Sequence, residues 1–268
     1  MKNEEITMTK ILLQQIKQDL KRLQLSDMAQ FLDSALSDAE KDRKGYLAFL
    51  QDLVSKQLEA RTNRSLVRRI KKAHLSEQQT FENYDYNFQP SLNVEYVKDL
   101  AELGFVANHQ PLLILGKTGT GKTHLANAFA IRACQFGYRV DLYTLQSLLN
   151  KLYSSILEDN TDIVISNFSR LDLLIIDSVG YIRSKAEYPS LFLDLVSACQ
   201  SRTSIIITSN ISFQQWGEAI GNPSITNAIV DRLFDKACLI NINPGRSYRT
   251  EGPHCPNITI PNNSSDLS

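Results

Sequence analysis

The chain has 268 residues, 43% of them hydrophobic and 22% charged, the balance of an ordinary globular protein long enough to bury a core. Its 29 Lys and Arg equal its 29 Asp and Glu. The molecule as a whole therefore does not attract nucleic acid, and any such contact must come from a local patch. No run approaches the ~18 apolar residues of a membrane span. Cys134, Cys199, Cys238 and Cys255 form no C-x-x-C pair that would read as a zinc or redox site. The polar start Met1-Lys2-Asn3-Glu4-Glu5 lacks signal-peptide character, and a reduced, cytoplasmic setting is expected.

In chain order, the first segment reads as all-helical. Leu12, Leu13, Ile16, Leu20 and Leu23 recur at helical steps, and Leu25-Ser26-Asp27 supplies a break and a cap. Met28, Phe31, Leu32, Ala35 and Leu36 continue the pattern up to the turn at Gly45. From Tyr46 to Lys72 there is no Gly or Pro, and Phe49, Leu50, Leu53, Val54 and Leu58 share one face. A helix of that length spans ~40 Å. We expect residues 1–76 to form a small helical domain or arm. Its far end is basic: Arg61, Arg64, Arg68, Arg69, Lys71 and Lys72 follow Glu59 with no acid before Glu77. Such a run is either a solvated helix face or a contact for a nucleic-acid backbone, and charge alone leaves both open.

After Pro90 apolar strands alternate with helices. The strand candidates are Leu112–Leu115, Val140–Tyr143, Leu173–Ile176, Ser204–Thr208 and Cys238–Ile242. The alternation predicts an α/β fold with a parallel sheet of about five strands covered by helices, over residues 77–249. Residues 250–268, with Gly252, Pro253, Pro256 and Pro261 among Asn and Ser, read as an irregular or disordered tail.

Gly116-Lys117-Thr118-Gly119-Thr120-Gly121-Lys122-Thr123 fits the phosphate-binding loop G-x-x-x-x-G-K-[ST]. A strand precedes it, and the Ala-rich helix opening at His124 follows. This geometry aims backbone N–H groups and a helix N-terminus at a phosphate chain. Lys122 is placed to reach the β- and γ-phosphates of ATP, and Thr123 to ligate Mg²⁺. Asp177, closing the apolar run Leu173–Ile176, is the expected second holder of Mg²⁺. Ser178 follows where many such ATPases carry a Glu that orients the attacking water, and a serine is a much poorer base. Asn210 ends the strand Ser204–Thr208 within a polar cluster and could reach the γ-phosphate or be a turn residue. Arg232 ends a helix; as a lone arginine it reads first as a surface ion-pair partner. Arg246 and Arg249 flank Ser247-Tyr248 after the last strand. Tyr86 and Phe88 lie near where the adenine could sit, or belong to the core.

Together these residues resemble the IstB-like insertion-sequence transposition helpers, which stand with the DnaC-like helicase loaders in the AAA+ superfamily. The resemblance rests on Gly116–His124, Leu173–Tyr181, the run Ile206 to Asn210 with Gln214-Gln215-Trp216-Gly217-Glu218, then Asp231-Arg232-Leu233 and Gly245-Arg246-Ser247-Tyr248-Arg249. It implies an AAA+ core without a full C-terminal lid. It also implies a γ-phosphate sensor at Asn210 and an arginine finger at Arg232 presented to a neighbouring subunit. The implied function is ATP-dependent self-association into an oligomer on duplex DNA with little sequence preference, and recruitment or stimulation of a transposase. The basic arm is then a DNA or transposase contact. The alternatives are a DnaC-like helicase loader or, because of Ser178, an ATP-binding DNA clamp with little hydrolysis. A small-molecule kinase lacks its acceptor-binding lid and catalytic acid.

Overall fold

The computed structural model describes residues 2–180, 182–183 and 185–251, with side chains from Thr7 onward. The predicted tail therefore lies almost wholly outside the described residues, as do Cys255 and Tyr181. The chain divides into two compact units between Arg68 and Arg69, somewhat before the boundary expected at residue 76. The difference has a local cause. Beyond Arg68 the chain is already committed to the second unit: Ile70, Ala73 and Leu75 are buried, and Arg69 donates to the Cys134 carbonyl at 3.4 Å.

The first unit consists of helices α1 (Lys2–Arg22), α2 (Ser26–Lys41) and most of α3 (Tyr46–Lys72). Its core is small: Met28, Leu32, Ala35 and Leu53, with Leu13, Leu20, Phe31 and Phe49 packed at its edge. Leu50, Val54 and Leu58 stay outside it, so the apolar face expected on α3 is only partly used. Asp27 does not cap α2, since no side chain caps that helix. Its buried carboxylate instead accepts both guanidinium N–H groups of Arg64, the Nη2 one at 2.6 Å, and the Gln57 amide at 2.7 Å. Gln57 in turn accepts from the Met28 N–H at 3.0 Å. The bonds from Arg64 hold the Asp27 carboxyl below its ordinary value.

The second unit carries α4 (Val94–Leu100), α5 (Gly104–Ala107), β1 (Leu112–Gly116), α6 (Lys122–Gln135), β2 (Val140–Thr144), α7 (Leu145–Leu157) and α8 (Thr161–Phe168). There follow β3 (Leu173–Val179), α9 (Tyr188–Cys199), β4 (Ser204–Ser209), α10 (Phe213–Ile220), α11 (Pro223–Phe234), β5 (Cys238–Ile242) and α12 (Tyr248–Glu251). All five predicted strands form, and they pair in parallel in the order β2-β3-β4-β1-β5. Parallel strands need helical crossovers, so the inner strands β3, β4 and β1 are buried along nearly their whole length, whereas the edge strands β2 and β5 are partly exposed. Leu113, Leu174, Ile176, Ile205 and Ile207 face a core shared with Leu148 and Leu152 of α7, Phe192 and Leu195 of α9, and Ile229 of α11. All strands run the same way, so the C-terminal ends of β1, β3 and β4 lie at one edge. Ligands of open α/β sheets bind at that edge. Among the described residues no helix is long and apolar enough to cross a membrane.

The Asp27 network yields a pH prediction for the first unit. A carboxyl whose folded value is depressed contributes stability above its unfolded value of about 3.8 and loses it as pH falls through the lower folded value. Amides of α2 and α3 should therefore lose hydrogen-exchange protection selectively in that acid range. Asp27→Asn should remove most of this pH dependence and lower protection at neutral pH.

Candidate functional site

The loop between β1 and α6 has the conformation that its glycines permit. Gly119 and Gly121 sit at φ +83° and +90°, where a Cβ is strained. Gly121 also lies against the Tyr84 ring, which a Cβ would approach to 2.9 Å. The turn closes on one acceptor. The Lys117 carbonyl receives the Thr120 hydroxyl at 2.9 Å and the Lys122 ammonium at 2.8 Å. Lys122 is thus folded back over its own loop, where a phosphate oxygen can replace the carbonyl as its acceptor. Burial pulls its ammonium down to about 8, with Asp177 opposing that shift and Arg249 adding to it.

Thr123, on the first turn of α6, donates to both Asp177 oxygens at 3.0 and 3.1 Å. Asp177 reaches it because β3 is irregular there. Ile176 pairs with Ile207 and Val179 with Ser209, so Asp177 and Ser178 together oppose Thr208. This is a β-bulge, a device that re-aims a side chain at a strand end. Ser178 takes a left-handed φ of +63°, its N–H donates to the Thr208 hydroxyl at 2.8 Å, and that hydroxyl donates to Asp177 at 2.6 Å. The Ser178 hydroxyl also turns to Asp177, at 3.1 Å. Thr208 lies in the run Ile206 to Asn210, but the motifs assign it no role of its own. Its place in the polar end of β4 is a signal, but nothing in the sequence announces the bulge.

Around these groups opens a cleft of about 570 Å³. Gly119, Gly121, Lys122, Thr123, His124, Ser178, Gly180 and Asn210 line it, together with Gln79, Thr118, Tyr248 and Arg249. The structure therefore gathers the loop, Asp177 and Asn210 at one edge of the sheet. The His124 ring contacts the Thr80 carbonyl at 2.7 Å and stacks edge-on to Tyr84 at 5.2 Å.

Beside the cleft lies a second hollow of about 270 Å³, bounded by Asn83, Tyr84, Asp85, Gln89, Thr120, His124 and Tyr248. Tyr86 and Phe88 do not line it. Phe88 is buried under Tyr248, with ring centroids 4.2 Å apart. The segment after β5 folds back to make this wall. The Gln89 amide holds the backbone of Arg246 from both sides, at 2.7 and 3.0 Å. Tyr248 donates its hydroxyl to Asp85 at 2.9 Å and its N–H to the Gly119 carbonyl at 2.9 Å. This brings Arg249 into the cleft. The paired arginines after β5 are visible in the sequence, but not their return to a loop well over a hundred residues upstream.

Arg232 stands elsewhere. It precedes β5, whose first residue pairs with Leu112 at the start of β1, whereas the phosphate loop follows the end of that strand. Five residues of strand, about 16 Å, separate the two ends. Arg232 donates to the Ala228 carbonyl of its own helix at 2.9 Å and lines a separate cavity of about 140 Å³ with His109, Gln110 and Lys236. In the basic run on α3, Lys71 and Lys72 are exposed. Within it Arg64 is committed to Asp27, a partner that the local charge pattern could not reveal.

The IstB-like ATP binding protein family model matches residues 18–253. The chain belongs to that family. It is 34% identical over 230 residues to a Pseudomonas aeruginosa protein named as an insertion sequence IS21 ATP-binding protein, covering 86% of each chain. Among solved structures, AMPPCP-bound DnaA from Aquifex aeolicus superposes with a TM-score of 0.52 at 22% identity, over 63% of this chain and 51% of that one. DnaI superposes with a TM-score of 0.50 at 19% identity, over 60% of this chain and 89% of that one. These two likenesses concern the fold, and they bear out the parallel α/β core read from the sequence. Membership of an ATP-binding family agrees with the phosphate loop and its cleft.

Lys122→Ala should weaken ATP binding about 10- to 100-fold, the worth of a charged hydrogen-bonding group. In the unaltered protein a triphosphate favours the ammonium form, so binding takes up a proton as pH rises through about 8. Affinity should then fall with increasing pH, by up to about tenfold per unit. Calorimetry in buffers of different ionisation enthalpy would read the proton uptake directly.

Proposed function

We propose that this protein is an ATP-dependent transposition helper that assembles on duplex DNA and recruits or stimulates a transposase. The observation carrying this reading is the separation of Arg232 from its own phosphate loop, at the opposite end of the sheet. An arginine so placed does not reach its own nucleotide, and in this reading it serves the nucleotide of another copy of the chain, so that ATP response and self-association are coupled. Membership of the IstB-like family and the insertion-sequence relative support the transposition setting. Duplex contact falls to Arg61, Arg68, Arg69, Lys71 and Lys72, with Arg64 retained by Asp27.

Mg²⁺ fits the donor set. One hydroxyl, Thr123, and one carboxylate, Asp177, converge, and among the described residues there is no cluster of three or more His, Cys, Asp or Glu. That is the sparse protein contribution expected of a cation that keeps waters and binds through substrate phosphates. When bound, it neutralises charge developing on the phosphates. Lys122 and the loop N–H groups hold the β- and γ-phosphates, Asn210 contacts the γ-phosphate, and Arg249 adds a second cation within the same chain. Arg232 completes the neighbour's site.

A second reading is an ATP-held clamp with slow turnover, and Ser178 favours it. Its hydroxyl is turned to Asp177, and no acidic side chain is among the described residues lining the cleft. Water activation would then rest on positioning rather than on a strong base.

Phosphate release from ATP, measured with and without duplex DNA and with Lys122→Ala as the blank, separates the two. DNA-stimulated turnover is expected of the hydrolysing switch, whereas intact ATP binding without turnover is expected of the clamp. Arg232→Ala should leave ATP affinity unchanged and lower turnover of the assembled protein by about 10³-fold or more. Survival of full turnover in that variant would remove the finger assignment. Lys71→Ala with Lys72→Ala should weaken DNA binding and reduce the salt slope by about 0.9 per lost phosphate contact.

A further inference from the structure

Trp216 is the only tryptophan of the chain, and it is fully buried. Its ring fills the junction of α10 and α11, edge-on to Phe213 at 5.2 Å, while Phe213 meets Phe234 at 4.5 Å. Leu or Phe could supply that packing. What the indole adds is one N–H, a buried donor that must find an acceptor. It donates to the Ser209 hydroxyl at 3.1 Å.

Ser209 ends β4 and immediately precedes Asn210, so the bond lands next to the residue read above as the γ-phosphate contact. The Ser209 hydroxyl has a single proton and two carbonyls in range, Val179 at 3.0 Å and Ile211 at 2.8 Å. Donated to Val179, it ties the end of β3 to the end of β4. Donated to Ile211, it closes the turn that follows Asn210. The same oxygen also accepts from the Ile211 N–H at 3.3 Å. Gly180 lies close to the Asn210 side chain: a Cβ there would come within 2.8 Å of its Oδ1. Asn210 therefore follows directly on a backbone position that the indole-anchored hydroxyl fixes, with Gly180 leaving room for its amide.

We propose that Trp216 is a positioning residue for Asn210: its indole N–H, acting through the Ser209 hydroxyl, sets the amide that distinguishes a triphosphate from a diphosphate. Trp216 also reports that state optically. This inference rests on the reading of Asn210 as the γ-phosphate contact. Trp216→Phe keeps an aromatic ring and removes the donor. Ser209→Ala removes the acceptor and leaves the core volume at Trp216 untouched.

The experiment compares dissociation constants for ADP and for AMPPCP with Mg²⁺ in the wild type, Trp216→Phe, Ser209→Ala and Asn210→Ala. It requires no turnover. Trp216→Phe and Ser209→Ala should each lower the preference for AMPPCP over ADP by about 3- to 10-fold, the worth of one hydrogen bond. ADP affinity should stay within about twofold, because the diphosphate does not use Asn210. Combining Trp216→Phe with Asn210→Ala should add nothing to the loss caused by Asn210→Ala alone, since the two act through one contact. In the wild type the tryptophan emission should shift with AMPPCP and not with ADP, and Asn210→Ala should abolish the difference. If Asn210→Ala loses the preference while Trp216→Phe and Ser209→Ala both retain it, the positioning role is overturned. If Asn210→Ala itself keeps the preference, the underlying reading of Asn210 fails instead.

Discussion

The second unit depends on how the Asp177 carboxylate is satisfied. A buried carboxylate is costly unless donors surround it, and three hydroxyls do so: Thr123 from α6, Ser178 from the bulge and Thr208 from β4. Each comes from a different element, so the carboxylate fixes the mutual placement of the phosphate loop helix and two strand ends. Replace any of these hydroxyls by a methyl group and the carboxylate loses a donor without gaining space. The same arrangement sets Asp177 beside the cleft.

Much of this architecture was legible in the sequence because it follows from local rules. Five apolar runs separated by helices dictate a parallel sheet, and the glycine pattern at 116–121 dictates the turn that ends the first strand. The long helix from Tyr46 to Lys72 could be read from the absence of Gly and Pro. What the sequence left hidden were contacts between distant segments. Asp27 looked like a cap and is a tertiary partner for Arg64 and Gln57. Ser178 looked like a missing acid and is also the extra residue of a bulge. Tyr86 and Phe88 fitted either a base site or the core, and Phe88 is buried while Tyr84 and Tyr248 line the hollow. In each case the residue type was informative and the partner was not, because composition and spacing carry no record of which loops meet.

The basic run on α3 illustrates the same limit for charge. Six cations in a row of sequence look equivalent, yet they differ in what holds them. Arg64 is held by a buried carboxylate, Arg69 reaches the backbone of α6, and Lys71 and Lys72 are exposed. An electrostatic surface is therefore not the sum of its formal charges. Only those whose donors remain available to a phosphate contribute to binding.

The grip of Gln89 on Arg246 joins positions 157 residues apart, and through it the two ends of the second unit close on a single turn at residues 116–121. A contact between residues so far apart in sequence requires nearly the whole of the second unit to be present. The cleft thus acquires its last wall only when the fifth strand has been laid down and its following segment has turned back. Nucleotide capture becomes a property of the finished domain, and a nascent chain halted before residue 246 lacks the wall that Tyr248 and Arg249 supply.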